Sequence, residues 1–406
     1  MIAHGYNWGK TIDRYTNTFA EERVRTNNFY LSSDVVLFEG GRKQNELKQA
    51  DLNEQASVKA LEASKNNIRT ETVRGFLNVL GLRERIRSAD LQAGLTREQI
   101  TRIQAFVDAG RTARTELLDL QAQLASEEYT LIDLQNQTDL ALLQLGQLLH
   151  LEPAEMHGFD VEAPAISALA IAEPTANEDD VLRNVLATNP AYAQADLNMQ
   201  SAERDVNIAR SGLLPNLSFN ASAGTGYSGL NTETVSSTLT GQDEIGVTST
   251  GDPVYVPHYE YVTRTRDFGA QLEDNLNKSV TLTLNIPIFN NKRNSYLVDQ
   301  ARVRHEEAKN KLENQQFSLQ RDVQNALTSQ RGAFRQYQSA QASIDASQEA
   351  LRYAQERYER GVITALDLTT AKTRVDRATA DGINAKYTYL MAQKSLDILQ
   401  GLPLTL

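Results

Sequence analysis

The sequence lacks several features, and each absence excludes a class of protein or site. None of its 406 residues is cysteine, which excludes disulfide bonds and thiolate metal sites. Acidic residues outnumber basic ones by 52 to 41, and the net charge of −11 argues against a nucleic-acid partner, because phosphates would be repelled. No apolar run approaches the ~18 residues of a membrane-spanning helix. The first ten residues also lack the basic head and apolar core of a signal peptide.

Proline and glycine are scarce over long stretches, and one such stretch organises the chain. Apolar and polar residues alternate from Ser279 to Phe289, which predicts a half-buried strand whose length suits a bilayer crossing of roughly 9–11 residues. From Arg293 to Tyr358 there is no proline, and the one glycine is Gly332. That segment predicts one helix of about 65 residues.

The rest of the chain repeats this plan of a strand followed by a long helix. Landmarks in the first half recur 251 positions later without a gap, which is typical of an internal duplication. The matched pairs are Phe38 and Phe289, Arg42 and Arg293, Gly81 and Gly332, Gly110 and Gly361, Leu117 and Leu368, and Leu148 and Leu399. Each half is therefore predicted to contain a strand, a long helix, a turn with glycine and a second helix.

The duplication divides the chain into three parts. The first repeat, 1–150, is predicted to hold strands at about 1–8 and 27–38 and helices at about 42–107 and 115–149. Residues 151–177 contain three prolines and are predicted to form an irregular linker. The second repeat, 178–406, is predicted to hold a helix at about 178–211, strands at about 217–228 and 278–289, a polar loop between them, and helices at about 292–358 and 364–400. The counterpart of its first helix would precede Met1, so we expect an N-terminally truncated chain.

The predicted strands are too few to close on themselves. Four amphipathic strands leave open edges, which are not tolerated in lipid, whereas three copies would supply twelve strands. The predicted helices carry narrow apolar stripes among many polar residues, which favours a tube wall of helices side by side. The predicted fold class is therefore mostly α with a small β part, assembled as a homotrimer. The alternative is a soluble sheet whose aromatic residues belong to an ordinary core.

Several short motifs, in this order and spacing, resemble the TolC-like outer-membrane efflux protein family. They are Ala209–Pro215, Pro287–Phe289, Gln300–Ala301, Arg357–Gly361 with Leu366–Leu368, and Leu399–Leu402. The resemblance covers nearly the whole chain. It implies a trimer with a 12-stranded outer-membrane β-barrel continued by a long periplasmic α-helical barrel, and 151–177 as its equatorial region. The implied role is the exit duct of a tripartite efflux pump or a type I secretion system. The implied partners are a periplasmic adaptor protein, an inner-membrane pump or ABC exporter, and outer-membrane lipid.

The resemblance also implies functional residues at two helix–turn–helix tips. Glu116 and Asp367, which are 251 positions apart, would line the periplasmic constriction with Thr115 and Tyr358. The adaptor would contact the turns, at Gly110, Arg111, Gly361, Val362 and Ile363. Ile363 replaces the arginine that the family pattern expects, so Arg111 or Arg114 would have to take its place in a closed-state lock. Judged from the residues alone, the two carboxylates equally fit helix N-termini, worth ~0.3–1 kcal/mol each, and the two glycines fit helix C-caps.

The sequence indicates no enzyme. The five histidines are scattered without metal-ligand spacing, and no nucleophile–base arrangement stands out, so we expect no catalytic residue, cofactor or metal. Two other classes stay open. A trimeric structural or adhesive surface protein with a helical stalk would need no paired tips, and a soluble helical scaffold would need no strands of bilayer length. No motif identifies a cargo.

Overall fold

The computed structural model describes residues 2–7, 11–12, 15–20, 24–163 and 171–403. The chain divides into two compact units. The strand unit consists of Met1–Leu47 with Asp205–Ala301, and the helical unit of Lys48–Arg204 with Arg302–Leu406. Each unit therefore combines segments from both halves of the sequence.

Helices dominate the described residues, and strands form a smaller part. In chain order the strands are β1 (Ile2–Asn7), β2 (Thr11–Ile12), β3 (Phe19–Ala20), β4 (Val24–Glu39), β5 (Asn216–Ser228), β6 (Thr232–Val247), β7 (Pro253–Thr265) and β8 (Asn277–Asn285). The helices are α1 (Arg42–Asp108), α2 (Arg114–Leu148), α3 (Pro153–Met156), α4 (Glu178–Thr188), α5 (Pro190–Ser211), α6 (Phe268–Asp274), α7 (Arg293–Glu359) and α8 (Ala365–Leu399). The predicted class, mostly α with a small β part, is confirmed.

The central sheet of the strand unit has four antiparallel strands in the order β1-β4-β5-β8. Leu31 in β4 pairs with Ala223 in β5, and Ala221 pairs with Val280 in β8, so these residues share one face. Val280 is 71% exposed and Leu31 is 74% exposed. Helix α6 covers one end of this face, where Phe268 lies against Phe29 and Tyr227, and the described chain leaves Leu31 and Val280 uncovered. Contiguous exposed apolar surface marks a site of contact with lipid or protein.

Two predicted strand boundaries differ from the structure. Strand β8 ends at Asn285 instead of about 289, because Pro287 has no N–H to donate to the ladder. Strand β4 starts at Val24, earlier than the predicted 27. Trp8, which the first predicted strand included, lies outside the described residues.

The polar segment between β5 and β8 is not a loop, and that prediction is wrong. It forms an antiparallel hairpin, β6 with β7, followed by the short helix α6. Threonine, valine and tyrosine are abundant in these strands, and such β-branched and aromatic residues favour strands even where overall hydrophobicity is low.

The long helices reproduce the duplication. Helices α1 and α7 each have 67 residues, α2 and α8 each have 35, and the members of each pair begin and end 251 positions apart. None of the helices among the described residues has the length and apolar character needed to cross a membrane.

The helix predicted at about 178–211 is two helices. The break falls at Asn189, because a residue that precedes a proline is pushed out of the helical conformation. The Asn189 side chain then caps α5 by accepting bonds from the backbone N–H groups of Ala191, at 2.9 Å, and Tyr192, at 3.2 Å.

Apolar clusters hold the helical unit together. One cluster includes Leu77, Leu80 and Leu145, each less than 5% exposed, and another joins Val185 to Val323. The described part of the linker, 151–163 and 171–177, contains helix α3 and is tied to α1 by the Arg83 guanidinium, which donates to the Val161 carbonyl at 2.6 Å.

Candidate functional site

Two helix–turn–helix tips lie at matched positions in the helical unit. The first tip, residues 106–120, joins α1 to α2, and the second tip, residues 357–371, joins α7 to α8. Together they contain every residue that the sequence predicts for the site. They also share the 251-residue spacing.

Both tips turn at a glycine in the left-handed conformation. In the first, the Gly110 N–H donates to the Val107 carbonyl at 2.9 Å and the Arg111 N–H to the Phe106 carbonyl at 2.8 Å. The second repeats both bonds from Gly361 and Val362 at 2.9 Å. This is the Schellman motif, and the φ values of 68° and 70° explain why glycine occupies the turn.

The second tip starts its following helix with a side-chain cap. The Thr364 hydroxyl accepts from the Asp367 N–H at 3.3 Å, and the Asp367 carboxylate accepts from the Thr364 N–H at 3.0 Å and from the Thr364 hydroxyl at 2.8 Å. This reciprocal capping box satisfies backbone donors that a helix start leaves unpaired. The same bonds, the backbone N–H first, hold the pKa of the exposed Asp367 below its usual value.

The first tip has no such cap. Ala113 stands where the second tip has Thr364, and no side chain caps α2. The Glu116 carboxylate, at the place of Asp367, instead accepts a hydrogen bond from the Tyr358 hydroxyl at the end of α7. Burial raises the pKa of the half-buried Tyr358 above its usual value, and the bond to Glu116 raises it further. Tyr358 therefore stays a donor throughout the ordinary pH range.

The remaining predicted residues lie on the surface of the tips. Thr115 and Arg111 are exposed, Val362 is 62% exposed, and Ile363 is half-buried. The Arg111 guanidinium lies 5.3 Å from the centre of the Phe106 ring, a cation–π distance within its own tip.

Buried leucines fix the tips to the helices beneath them. Leu117 is 5% exposed and packs with Ile103 and Leu120, and its counterpart Leu368 is 6% exposed. The first turns of α2 and α8, which carry the two carboxylates, are therefore held by packing.

Sequence reasoning missed a polar cluster between α1, α2 and α8. Lys372, 3% exposed, donates to the Gln99 side chain at 2.6 Å, and the Glu127 carboxylate accepts from Thr96 at 3.1 Å. Burial, and then the charge of Glu127, raises the pKa of Asp376 to about 6, against the opposing effect of Lys372. The four-residue spacing of Lys372 and Asp376 places them on one helix face, but the sequence does not show that this face is buried.

The cluster borders a cavity of about 160 Å³, lined by Glu127 and Asp376 together with Arg85 and Leu134. Within the described residues, no three or more His, Cys, Asp or Glu side chains are grouped so that they could hold a metal ion.

A solved structure shares this architecture. The outer membrane protein VceC from Vibrio cholerae superposes with a TM-score of 0.76 and 16% sequence identity, over 99% of this chain and 86% of VceC. The fold is thus that of the TolC-like channels, with long paired helices and a small antiparallel β part.

A family profile described as "outer membrane efflux protein" matches residues 6–149 and 181–402. The chain belongs to the outer membrane efflux protein family. Members of this family are channels. They lie in the cell outer membrane and extend into the periplasm, and this protein has the same location.

Two named relatives share low identity with the chain. Both are called "pyoverdine export outer membrane protein OpmQ". The Pseudomonas putida protein is 22% identical over 326 residues, and the Pseudomonas aeruginosa protein is 24% identical over 344 residues. The matches cover 79% and 84% of this chain, which spans 59% and 63% of the length of the relatives.

Proposed function

We propose that this chain is the exit duct of a tripartite efflux pump or a type I secretion system. Cargo passes through it passively, and inner-membrane partners supply the energy. The observation that carries the proposal is the exposed apolar face of the sheet. Within the described residues, the same sheet also has two edge strands without a further partner, β1 and β8.

Three copies would satisfy both features of the sheet. If β1 of one copy pairs with β8 of the next, the strands alternate in direction and close into a twelve-stranded barrel with lipid against the apolar face. The repeats 1–150 and 178–406, joined by 151–177, would supply the matched helices of the periplasmic α-helical barrel.

The tips would form the periplasmic mouth of this duct. Glu116 and Asp367, with Thr115 and Tyr358 beside them, would constrict the pore, so that three chains bring six carboxylates around one axis. The turn residues would meet the periplasmic adaptor. They are Gly110, Arg111, Gly361, Val362 and Ile363. The exposure of Val362 supports this assignment, because an apolar side chain at a helix turn gains from being covered by a partner. Arg111, at the matched position of the first tip, is also exposed.

The relatives' names point to the class of cargo to test first. Both are named for pyoverdine export, which favours a small secreted molecule over a polypeptide. The adaptor would come with an inner-membrane pump or an ABC exporter.

The test is single-channel conductance in planar bilayers, after crosslinking or mass photometry has established a trimer in detergent. Carboxylates that converge on a narrow pore attract cations, so the wild-type trimer should prefer cations and be blocked by trivalent cations. The double variant Glu116→Gln with Asp367→Asn should lose both properties while the trimer stays intact.

A matched control removes two carboxylates from an exposed part of α7, with Glu306→Gln and Glu307→Gln. These two residues lie near the start of α7, at the other end of that helix from the second tip. Charges that far from the constriction are screened at ordinary salt, where the Debye length is ~8–10 Å, so selectivity should not change. A stable monomer, or a trimer without conductance, would contradict the proposal and favour a structural or adhesive protein.

A further inference from the structure

The β6–β7 hairpin packs on nothing within the described chain. Its side chains are exposed almost without exception from Thr232 to Thr265. A two-stranded hairpin alone in water is marginally stable at best. This long hairpin therefore requires a covering surface.

The base of the hairpin, in contrast, is firmly fixed to the sheet. The Gln271 side chain in α6 is fully buried, accepts from the Ser228 N–H at 3.0 Å and donates to the Ser228 and Arg266 carbonyls at 3.1 and 2.9 Å. The Phe268 ring lies 5.3 Å from the Tyr227 ring. The hairpin thus leaves the sheet from an anchored point between β5 and the outer strand β8.

Neither edge of the hairpin suits the addition of another strand. Strand β6 has three register shifts, which leave Val235, Thr240 and Ile245 as extra residues, and such bulges disrupt an edge. Strand β7 contains Pro253 and Pro257, which have no N–H to donate. A partner must therefore cover a face.

The two faces differ in character. The register places Tyr255, Tyr259 and Tyr261 on one face with Leu239 and Val247, and the only charged residue there is Glu244. We call this the aromatic face. The rings of Tyr259 and Tyr261 lie 6.3 Å apart, and these side chains are 43% and 61% exposed.

The opposite face carries charge pairs among its valines. His258 contacts Asp243 at 2.6 Å, and Arg264 pairs with Glu233 at 2.7 Å. Residues 232–265 contain five acidic residues and one arginine, so anionic lipid headgroups would repel the hairpin. Two copies that meet through their aromatic faces would keep most of these acidic residues apart.

We propose that the hairpins of the three copies converge on the threefold axis and pack against one another there through their aromatic faces, with Tyr259 and Tyr261 at the centre. The inference rests on the proposed trimer. In that trimer the free edge of β8 pairs with β1 of the next copy. The hairpin is connected to β8 through α6, so it leaves the sheet close to this contact between copies. Tyrosine rings on both sides supply offset or edge-to-face contacts, and Glu244, the one charged residue of this face, lies beside Tyr255, away from Tyr259 and Tyr261.

Because the chain has no cysteine, a single introduced cysteine is unique. Tyr259→Cys and Tyr261→Cys test the aromatic face, and Glu260→Cys, between them in sequence, is the matched control on the other face. In purified trimers treated with a short bismaleimide, the first two variants should give several-fold more covalent dimer on a denaturing gel than the control.

Equal crosslinking of all three variants would overturn the proposal, and so would full labelling by a monofunctional maleimide without crosslinks. If mass photometry shows an intact trimer in those cases, this inference fails alone. If no variant and no wild-type protein forms a trimer, the proposed function fails with it. As a second measure, Tyr259→Ala with Tyr261→Ala should lower the temperature at which the trimer dissociates, more than His258→Ala with Glu260→Ala does.

Discussion

The two tips share a turn and differ in what their first-turn carboxylate does. Both end a 67-residue helix with a Schellman glycine. In the second tip, Asp367 is engaged with Thr364 in the cap of its own helix. In the first tip, Glu116 has no hydroxyl to meet at Ala113 and binds Tyr358 on α7. We therefore expect the residue before each helix, Ala113 or Thr364, to decide whether the carboxylate caps its own helix or links two helices.

The consequence is an asymmetry between duplicated parts. The second tip caps α8 with its own residues, whereas the first tip has no side-chain cap and its Glu116 is bonded to the half-buried Tyr358 of the second tip, at the end of α7. If the tips form the mouth proposed above and α2 moves away from α7 on opening, the Glu116–Tyr358 bond would break, whereas the Thr364–Asp367 cap lies within one helix start and would not.

The largest expected effect tests what the tips have in common. Leu117→Ala and Leu368→Ala remove side chains that are 5% and 6% exposed, so each should cost roughly 2–4 kcal/mol of local stability. Hydrogen exchange of the tip amides measures this loss. The control Leu118→Ala, at a side chain 53% exposed, should cost much less. If the stability losses of Leu117→Ala and Leu368→Ala differ by more than their average, the two tips are not held by equivalent packing.

A smaller effect tests the difference between the caps. Thr364→Ala should cost about 1 kcal/mol and speed exchange at the start of α8. Ala113→Thr is the converse change, since Ala113 already has the extended backbone of an N-cap and Glu116 lies three residues on. It should slow exchange at the start of α2 and draw Glu116 away from Tyr358. If Ala113→Thr changes neither the amide hydrogen exchange of the first tip nor that of the end of α7 at Tyr358, the residue before the helix does not determine the partner of Glu116.

The smallest effects concern pH. The pKa of Asp367 is lowered, so its cap contributes fully above the ordinary pKa of about 4 and is lost as pH falls through a still lower value. The pKa of Tyr358 is raised, so its contribution is full below the ordinary pKa of about 10 and is lost as pH rises through a higher value. Acid should therefore loosen the second tip first and alkali the first tip, as followed by pH-corrected hydrogen exchange.

Asp376 titrates between these limits and needs a control. Its pKa is raised to about 6, so its neutral form fits the folded state better, and stability should fall as pH rises from about 4 to about 6. The comparison of the tips is cleanest in an Asp376→Asn background, where this change should disappear. Loosening of the first tip by acid and of the second tip by alkali would contradict the assignment.

Sequence patterns predicted the long helices well, because these helices depend on local features. Absence of proline, the glycines at 110 and 361 and the fixed spacing define α1, α2, α7 and α8. The errors had local causes too. Asn189–Pro190 split a helix and Pro287 ended a strand, and both are visible in the sequence. The hairpin was not predicted because its segment is polar on average, which is typical of a loop. Its many threonine, valine and tyrosine residues, which favour strands, were given too little weight.

The two tips could be located from the sequence, but the contacts of their residues could not. The spacing paired Glu116 with Asp367, and the resemblance added Tyr358. Which carboxylate meets Tyr358 depends on how α2 and α7 pack, and the buried environment of Lys372 and Asp376 depends on the packing of three helices. Such contacts between distant segments are not encoded in any local pattern.

The most direct measurement is a double-mutant cycle on Glu116→Gln and Tyr358→Phe, with the opening free energy of the first tip read from hydrogen exchange. The two changes should be coupled by ~0.5–3 kcal/mol, as for residues in contact. The parallel cycle of Asp367→Asn with Tyr358→Phe should be additive within ~0.5 kcal/mol, because Asp367 is engaged in its own cap. Additivity in the first cycle, or equal coupling in both, would contradict the conclusion that the matched carboxylates have different roles.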